Sequence, residues 1–199
     1  MKTLKRFWGL LTDEGKRRKL SGLDAAAVKY IAILMSIYQL AQATILTIQP
    51  QTHYAIHLTF IMVLCALIYT RTFQAGERSS TRIPIEDWLY AAILALAGIY
   101  YCSQIDIYLT RMPMVDELSN MDIAVGILTV IAVIGLTKRC MGFVLPSIGC
   151  IFLAYALWGH MIPGVLYHRK LLTIDILDQL VFTTNGIFSS PIAAAATYV

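Results

Sequence analysis

The amino-acid sequence predicts an all-α integral membrane protein with about five transmembrane helices. Its composition is the first reason: 58% of the residues are hydrophobic and 14% are charged, whereas ordinary soluble domains have about 45–50% apolar and about 25% charged residues. Five apolar segments are the second reason, because each comes near the roughly 20 residues that a helix needs to cross a hydrocarbon core. The third is that Lys and Arg are concentrated in alternate flanks of these segments, which is typical of membrane-spanning chains.

Residues 1–24 are predicted to form a basic, amphipathic segment. Seven of the sixteen basic residues precede residue 20. Next to long apolar segments, such a basic end indicates a cytoplasmic flank rather than a nucleic-acid-binding arm. Leu4, Phe7, Trp8 and Leu11 recur at helical spacing, which favours a short helix lying in the headgroup region. The alternative is a disordered basic arm.

The apolar segments set the expected helices. They cover about residues 26–48, 53–70, 87–105, 121–137 and 141–162. In the fifth segment, Pro146 is expected to kink the helix or to let a neighbour approach closely.

The predicted orientation follows from the Lys and Arg residues between the segments. The odd flanks contain twelve basic residues, or thirteen with Lys29, and the two even loops together contain only Arg111. Since Lys and Arg are enriched on the cytoplasmic side, the amino terminus is predicted to be cytoplasmic.

The region after the fifth segment does not predict another simple span. Leu171, Ile174, Leu177 and Val181 form one apolar stripe, but Asp175 and Asp178 interrupt the run. The apolar stretch that follows contains two helix interrupters, Gly186 and Pro191. Interrupted apolar segments of this kind line cavities in many membrane proteins. We therefore expect the start of a re-entrant helical hairpin.

Polar residues within the apolar segments need partners. His53 and His57 are four residues apart and share one helical face, which allows a metal pair but favours an interfacial, hydrogen-bonded pair. Gln39 and Gln42 are expected to bond across a helix interface. The cysteines lack C-x-x-C spacing and are interpreted as apolar packing residues rather than metal ligands or disulfides: Cys65, Cys102, Cys140 and Cys150.

Three stretches carry a resemblance to a known family. They read "DWLYAAILALAGIYY", "TKRCMGFVLPSIGCIFLAYALWGHMIPGVLYHR" and "TTNGIFSSPIAAAATYV". They resemble the fused permease of tripartite ATP-independent periplasmic (TRAP) transporters, in the branch that works with a TAXI-type periplasmic binding protein. The resemblance covers roughly residues 55–199, whereas the first fifty residues are similar only in hydropathy.

The resemblance implies a division of the chain and a function. Residues 25–139 would correspond to the small permease subunit, and residues 140–199 to the beginning of the large transport subunit. The implied function is that of a permease component of a secondary transporter for small solutes, organic anions in particular, with sodium as the coupling ion. The implied location is the bacterial or archaeal cytoplasmic (inner) membrane. The family's permeases are several times longer, so the end at Val199 is interpreted as a truncation that would be inactive alone.

The resemblance also implies partners. These are the periplasmic binding protein, the remainder of the large permease domain and the lipid bilayer, with no nucleic acid. Four acidic residues of the loop between the third and fourth segments are expected to meet basic residues of the binding protein, the alternative being a solvated loop: Asp106, Asp116, Glu117 and Asp122.

Candidate ion- or substrate-contacting residues lie in the hairpin segment, where small residues let oxygen atoms face a cavity. They are Asn185, Gly186, Ser189, Ser190 and Thr197. The alternative is that these small residues permit close helix packing. The segment departs from the family pattern, since Asn185 stands where the family has Glu and the Ser of a Gly-Val-Ser triplet is replaced by Ala195.

The alternative function is that of a non-transporting membrane scaffold or assembly protein. No nucleophile elbow, phosphate loop or zinc motif is present, and no Ser-His or paired-Asp arrangement sits at matching helix depth, so an enzyme is not expected.

Overall fold

A computed structural model describes residues 17–70 and 82–198. In these residues the chain is helical and contains no strand beyond a single bridge between Arg17 and Tyr69. The predicted interfacial helix with Leu4, Phe7, Trp8 and Leu11 lies outside the described residues.

Five helices are long and apolar enough to cross a membrane, which confirms the predicted class of all-α membrane protein. They are α1 (Gly22–Thr44), α2 (Pro50–Ile68), α3 (Ile85–Ser103), α5 (Asn120–Met141) and α6 (Val144–Trp158), the last extended by a 3-10 turn, Gly159–Met161. A short helix, α4 (Ile105–Thr110), lies between α3 and α5.

Local signals set the helix ends. Pro50 is the first residue of α2, a position where its missing N–H breaks no helical hydrogen bond. Ser119 and Asp122 form a capping box at the start of α5. Gly142 ends α5 with φ 79°, a conformation that glycine adopts without a steric penalty.

Of the two alternatives expected for Pro146, the kink is wrong and close packing agrees with the structure. Pro146 is the third residue of α6 rather than an interior one. Because the N–H groups of the first helical turn have no partner within the helix, a proline there costs no hydrogen bond. The residue is buried and acts in packing.

The residues after α6 form two short helical arms. The first is α7 (Thr173–Leu177), continued by a π-helical turn, Asp178–Phe182, and the second is α8 (Ser190–Tyr198). Each arm is roughly 15 Å long, about half of a hydrocarbon core. We call residues 173–198 the terminal hairpin, and its short arms agree with the predicted non-spanning segment.

The core of the bundle lies between α2, α3 and α5. Buried side chains of these helices meet Phe182 and Phe188 of the terminal hairpin. By contrast α1 has no buried residue, so it is a peripheral helix. Val28 and Ile31 pack against the core, whereas apolar side chains such as Leu40 face outward. In a bilayer, lipid would cover that face.

The approach of α2 and α3 depends on Gly98. A Cβ added to Gly98 would lie 2.1 Å from the Oγ1 atom of Thr59. We therefore expect Gly98→Ala to destabilise the bundle by about 1–3 kcal/mol, because overpacking forces neighbouring side chains or backbone to shift.

Thermal unfolding of the purified protein in detergent measures this effect. Gly135→Ala in α5 is the matched control, since no atom lies within 4 Å of a Cβ added there. Equal melting temperatures for the two variants would contradict the assigned helix contact.

Candidate functional site

The described residues contain two buried ion clusters at opposite ends of the bundle. The first, which we call the Asp87 cluster, is formed by Arg18, Asp87 and Arg139. Arg18 pairs with Asp87, and Arg139 Nη1 lies 3.3 Å from the other carboxylate oxygen. The carboxylate is 1% exposed. Because water has so little access to this site, the stability of each buried charge depends on its partners.

The Asp87 cluster joins the ends of several elements. The Arg18 backbone N–H donates to the carbonyl of Ile68, and Arg18 Nη1 donates to the carbonyl of Leu67, both at 2.9 Å. The segment before α1 is therefore held against the end of α2, the start of α3 and the end of α5. We call this the Arg18 end of the bundle. Because these contacts join elements of the bundle, we interpret the role of the cluster as structural.

Asp122 organises the opposite end, which we call the Asp122 end. Its carboxylate accepts hydrogen bonds from the hydroxyls of Tyr100 at 2.9 Å and Tyr108 at 2.5 Å. Burial and the bond to Asp122 raise the pKa of Tyr108, so this phenol stays protonated as a donor. Asp122 is therefore turned inward, while Asp106, Asp116 and Glu117 are exposed.

The two histidines bond to other elements rather than to each other. His53 Nε2–H donates to the carbonyl of Ala196 in α8 at 3.0 Å, and its Nδ1 lies 2.9 Å from the Tyr38 hydroxyl. His57 Nδ1 lies 2.5 Å from the amide nitrogen of Gln39. The expected bond of Gln39 across a helix interface is confirmed. The histidines are hydrogen-bonded as expected, but each bonds to another helix rather than to the other histidine. Gln42 differs, because its amide donates to the loop carbonyl of Ile48, at 3.5 Å.

The second ion cluster pairs Arg111, in the loop after α4, with Asp178, the first residue of the π-helical turn. The two side chains are 7% and 3% exposed. Arg111 Nη1 also donates to the carbonyl of Asp116 at 3.3 Å. Its guanidinium carbon lies 5.8 Å from the ring centroid of Phe182, within the range of a cation–π contact.

Met114 completes the surroundings of Asp178. Its backbone N–H donates to the second carboxylate oxygen at 2.8 Å. Met114 has φ 63°, the left-handed region that side-chain-bearing residues seldom occupy. Such strain persists where surrounding contacts hold it, and it concentrates at functional sites.

A polar cavity of about 340 Å³ lies beside this ion pair. Tyr101, Tyr108 and Phe182 supply its aromatic wall. Its polar lining comes from α2, the loop after α4 and the terminal hairpin: Gln51, Arg111, Gln179, Thr183, Thr184 and Asn185. We call this the Arg111 cavity. Its size is at the low end of the range for small-molecule sites.

Aromatic contacts fix the hairpin against the cavity wall. The Tyr101 hydroxyl donates to the carbonyl of Val181 at 3.0 Å, and its ring stacks on those of Phe182 and Phe188. The turn between the arms closes when Ile187 N–H donates to the carbonyl of Leu180 at 2.7 Å. The π-helical turn is thus held on two sides, and π-helical turns are frequent at functional sites.

The five residues predicted from sequence are only partly brought together. Asn185 lines the Arg111 cavity, and Gly186 lies in the turn behind it. Ser190 and Thr197 are exposed on α8. Because they are seven positions apart on the helix, roughly 10 Å separates them, which is too far for both to ligate one cation. Ser189 lies next to the turn and remains a candidate ion- or substrate-contacting residue. The ion-binding role of these residues remains a prediction.

Sequence reasoning missed Arg111 and Asp178 as site residues. Both carried a signal, since Arg111 is the single basic residue of its loop and Asp178 interrupts an apolar run. Charges in apolar surroundings need partners. Their 67-residue separation left the partner unspecified.

The fold and the site define a multi-pass membrane protein with a polar cavity built around a buried arginine. Comparisons of the chain with protein-family models, curated proteins and solved structures find no match.

Proposed function

We propose that the chain is the membrane permease component of a TRAP-type, ion-gradient-driven secondary transporter for small organic anions. The Arg111 cavity is the observation that carries this proposal. Among the described residues that line the cavity, Arg111 is the only cationic one and none is acidic. A guanidinium offers several N–H donors in the planar arrangement that suits a carboxylate.

The rest of the lining fits the same ligand class. The side-chain amides of Gln179 and Asn185 and the hydroxyl of Thr184 can donate to further oxygen atoms of a small carboxylate. The hydroxyl of Thr183 already donates to the carbonyl of Gln179 at 2.8 Å. The aromatic wall can cover an apolar portion of it. Because Gln179 and the three residues after the π-helical turn belong to the terminal hairpin, an anion bound here would contact both the bundle and the hairpin.

The remaining parts of the proposal rest on the sequence resemblance and on charge. The exposed carboxylates Asp106, Asp116 and Glu117 suit a periplasmic binding protein with basic residues at its docking face. The Arg18 end is basic, which supports a cytoplasmic amino terminus in an inner membrane. Sodium as the coupling ion, and the remainder of a large permease domain as a partner, are proposed from the resemblance alone.

Anion binding tests the proposal directly. Isothermal titration of the protein in nanodiscs with acetate, pyruvate, succinate and glutarate should show saturable binding of at least one of them. The double variant Arg111→Gln/Asp178→Asn removes both charges of the pair together, so neither is left buried alone. It should weaken binding by at least about tenfold, since a hydrogen bond to a charged group contributes about 1.5–3 kcal/mol.

Lys138→Gln is the control, because it removes a cation from the Arg18 end, where Lys138 lies over the Phe143 ring. Anion binding by the Lys138→Gln variant should equal that of the natural protein. The double variant leaves the net charge unchanged and Lys138→Gln lowers it by one. An equal loss in both variants would therefore show that the loss is not specific to the pair, and would count against the Arg111 cavity as the anion site.

The alternative is a non-transporting membrane scaffold. The outward apolar faces of α1 and α6 favour it, since residues such as Leu34, Ile151 and Phe152 are more than half exposed in the isolated chain. Helices of a neighbouring membrane protein could cover them as well as lipid does. A scaffold predicts no saturable anion binding in the titration above.

A further inference from the structure

The Arg111–Asp178 pair places a carboxylate of the protein itself on the cation that lines the cavity. One Asp178 oxygen contacts Arg111 Nη2, and the other accepts the Met114 N–H at 2.8 Å. Asp178 does not itself line the cavity, whereas the next residue, Gln179, does. The internal carboxylate therefore approaches the guanidinium from behind the cavity wall.

The guanidinium is not saturated by these contacts. Its Nε is buried and has no hydrogen-bond partner among the described residues, and its bond to the Asp116 carbonyl is long, at 3.3 Å. A buried, unpaired donor on a cation costs free energy unless a ligand satisfies it. Arg111 also lines the cavity, and its guanidinium has donor capacity left for a second acceptor.

Charge balance limits what happens when that acceptor is a carboxylate. With Asp178 alone, the pair is neutral. A second carboxylate at the same guanidinium would leave one buried negative charge in excess, which is unfavourable in a site of low dielectric. The excess is relieved if Asp178 moves away from Arg111 to a position where water solvates its carboxylate.

We infer that Asp178 is an exchangeable internal counter-ion, which a carboxylate entering the Arg111 cavity displaces, and that this displacement loosens the π-helical turn. This inference rests on the proposed function and adds a link between anion binding and the terminal hairpin. Asp178 is the first residue of the turn, and its ties to Arg111 and Met114 hold the turn against the loop after α4. The link is reciprocal, so loosening the turn also strengthens anion binding.

The strained loop residue supports the same conclusion. Met114 keeps its left-handed conformation while its N–H is bonded to Asp178. Once Asp178 leaves, that constraint on the loop is removed. The Tyr101 bond to Val181 and the Ile187 bond to Leu180 remain, so the change is confined to the π-helical turn.

Asp178→Asn tests the inference. Asparagine keeps an oxygen that accepts the Met114 N–H but removes the competing negative charge. Titration with acetate and succinate, at an ionic strength matched with sodium chloride, should show roughly tenfold tighter binding than the natural protein, in the range typical of coupled sites.

Asp116→Asn is the matched control. It removes a carboxylate from the same loop, but Arg111 contacts the backbone carbonyl of Asp116 rather than its side chain. Binding to this variant should be unchanged. Equal strengthening in both variants would overturn the inference, because it would show a general field effect rather than competition for Arg111.

Hydrogen exchange of the natural protein provides a readout that needs no variant. Succinate should speed exchange of the amides of residues 179–182. Anion binding without faster exchange overturns the displacement and leaves the proposed anion site standing. Absence of binding to both the natural protein and Asp178→Asn overturns the anion site as well.

Discussion

Replacing Asp87 by asparagine should lower the free energy of unfolding by about 3–5 kcal/mol, the range found when one member of a buried ion pair is removed. The carboxylate is 1% exposed and is shared by Arg18 and Arg139. Asparagine keeps the shape but removes the charge, so two buried guanidinium groups would lose the counter-ion that they share. Reversible unfolding in mixed detergent, followed by circular dichroism, measures the loss.

Asp106→Asn is the control for this prediction. Asp106 is an exposed carboxylate in the first turn of α4, so its removal should change stability by less than about 1 kcal/mol. If both variants unfolded at the same denaturant concentration, the Asp87 cluster would not be what joins the ends of α2, α3 and α5.

Replacing Gly186 by alanine should open the turn of the terminal hairpin. A Cβ at this position would lie 2.1 Å from the carbonyl oxygen of Leu180 and 2.5 Å from that of Gln179. Both obstacles are backbone atoms, which cannot rotate away as a side chain can. We expect a loss of about 3 kcal/mol in local stability, at the upper end of overpacking effects, and loss of the bond between Ile187 and Leu180.

Hydrogen exchange across residues 178–189 is the suitable measurement, because a hairpin at the edge of the bundle can open without global unfolding. The chain offers a matched glycine: nothing lies within 4 Å of a Cβ added to Gly149 in α6. Gly149→Ala should leave the hairpin's exchange unchanged and stabilise α6 slightly. Unchanged exchange in Gly186→Ala would mean that the turn does not need a glycine.

The spans were predictable because their signal is local. Length and apolarity identify a membrane helix, and the five segments agree with the structure to within about four residues at their ends. Among the largest differences, α1 begins and ends four residues earlier than its apolar segment, and α5 continues through Lys138 and Arg139 to Met141. Pro50 begins α2 three residues early. The kink assigned to Pro146 was wrong because a proline's effect depends on its distance from the helix start, which hydropathy does not define.

The sequence predicted the region of the candidate site but not its central residue. The interrupted apolar segment directed attention to residues 183–197, and Asn185 does line the Arg111 cavity. The cavity's cation was not foreseen. In the sequence, Arg111 contributed only to the count of Lys and Arg residues in the loops. In the structure, the ion pair and the cavity both depend on it.

The sequence by itself determined that this chain is a helical membrane protein with five spans and a non-spanning hairpin segment, since burial in lipid follows from the apolarity of each segment separately. Only the tertiary structure decided which charges meet. Asp87 with Arg18 and Arg139, and Asp178 with Arg111, are separated by 52 to 69 residues. A buried charge requires a partner, but its own position in the chain does not specify which one, and helix packing makes that choice.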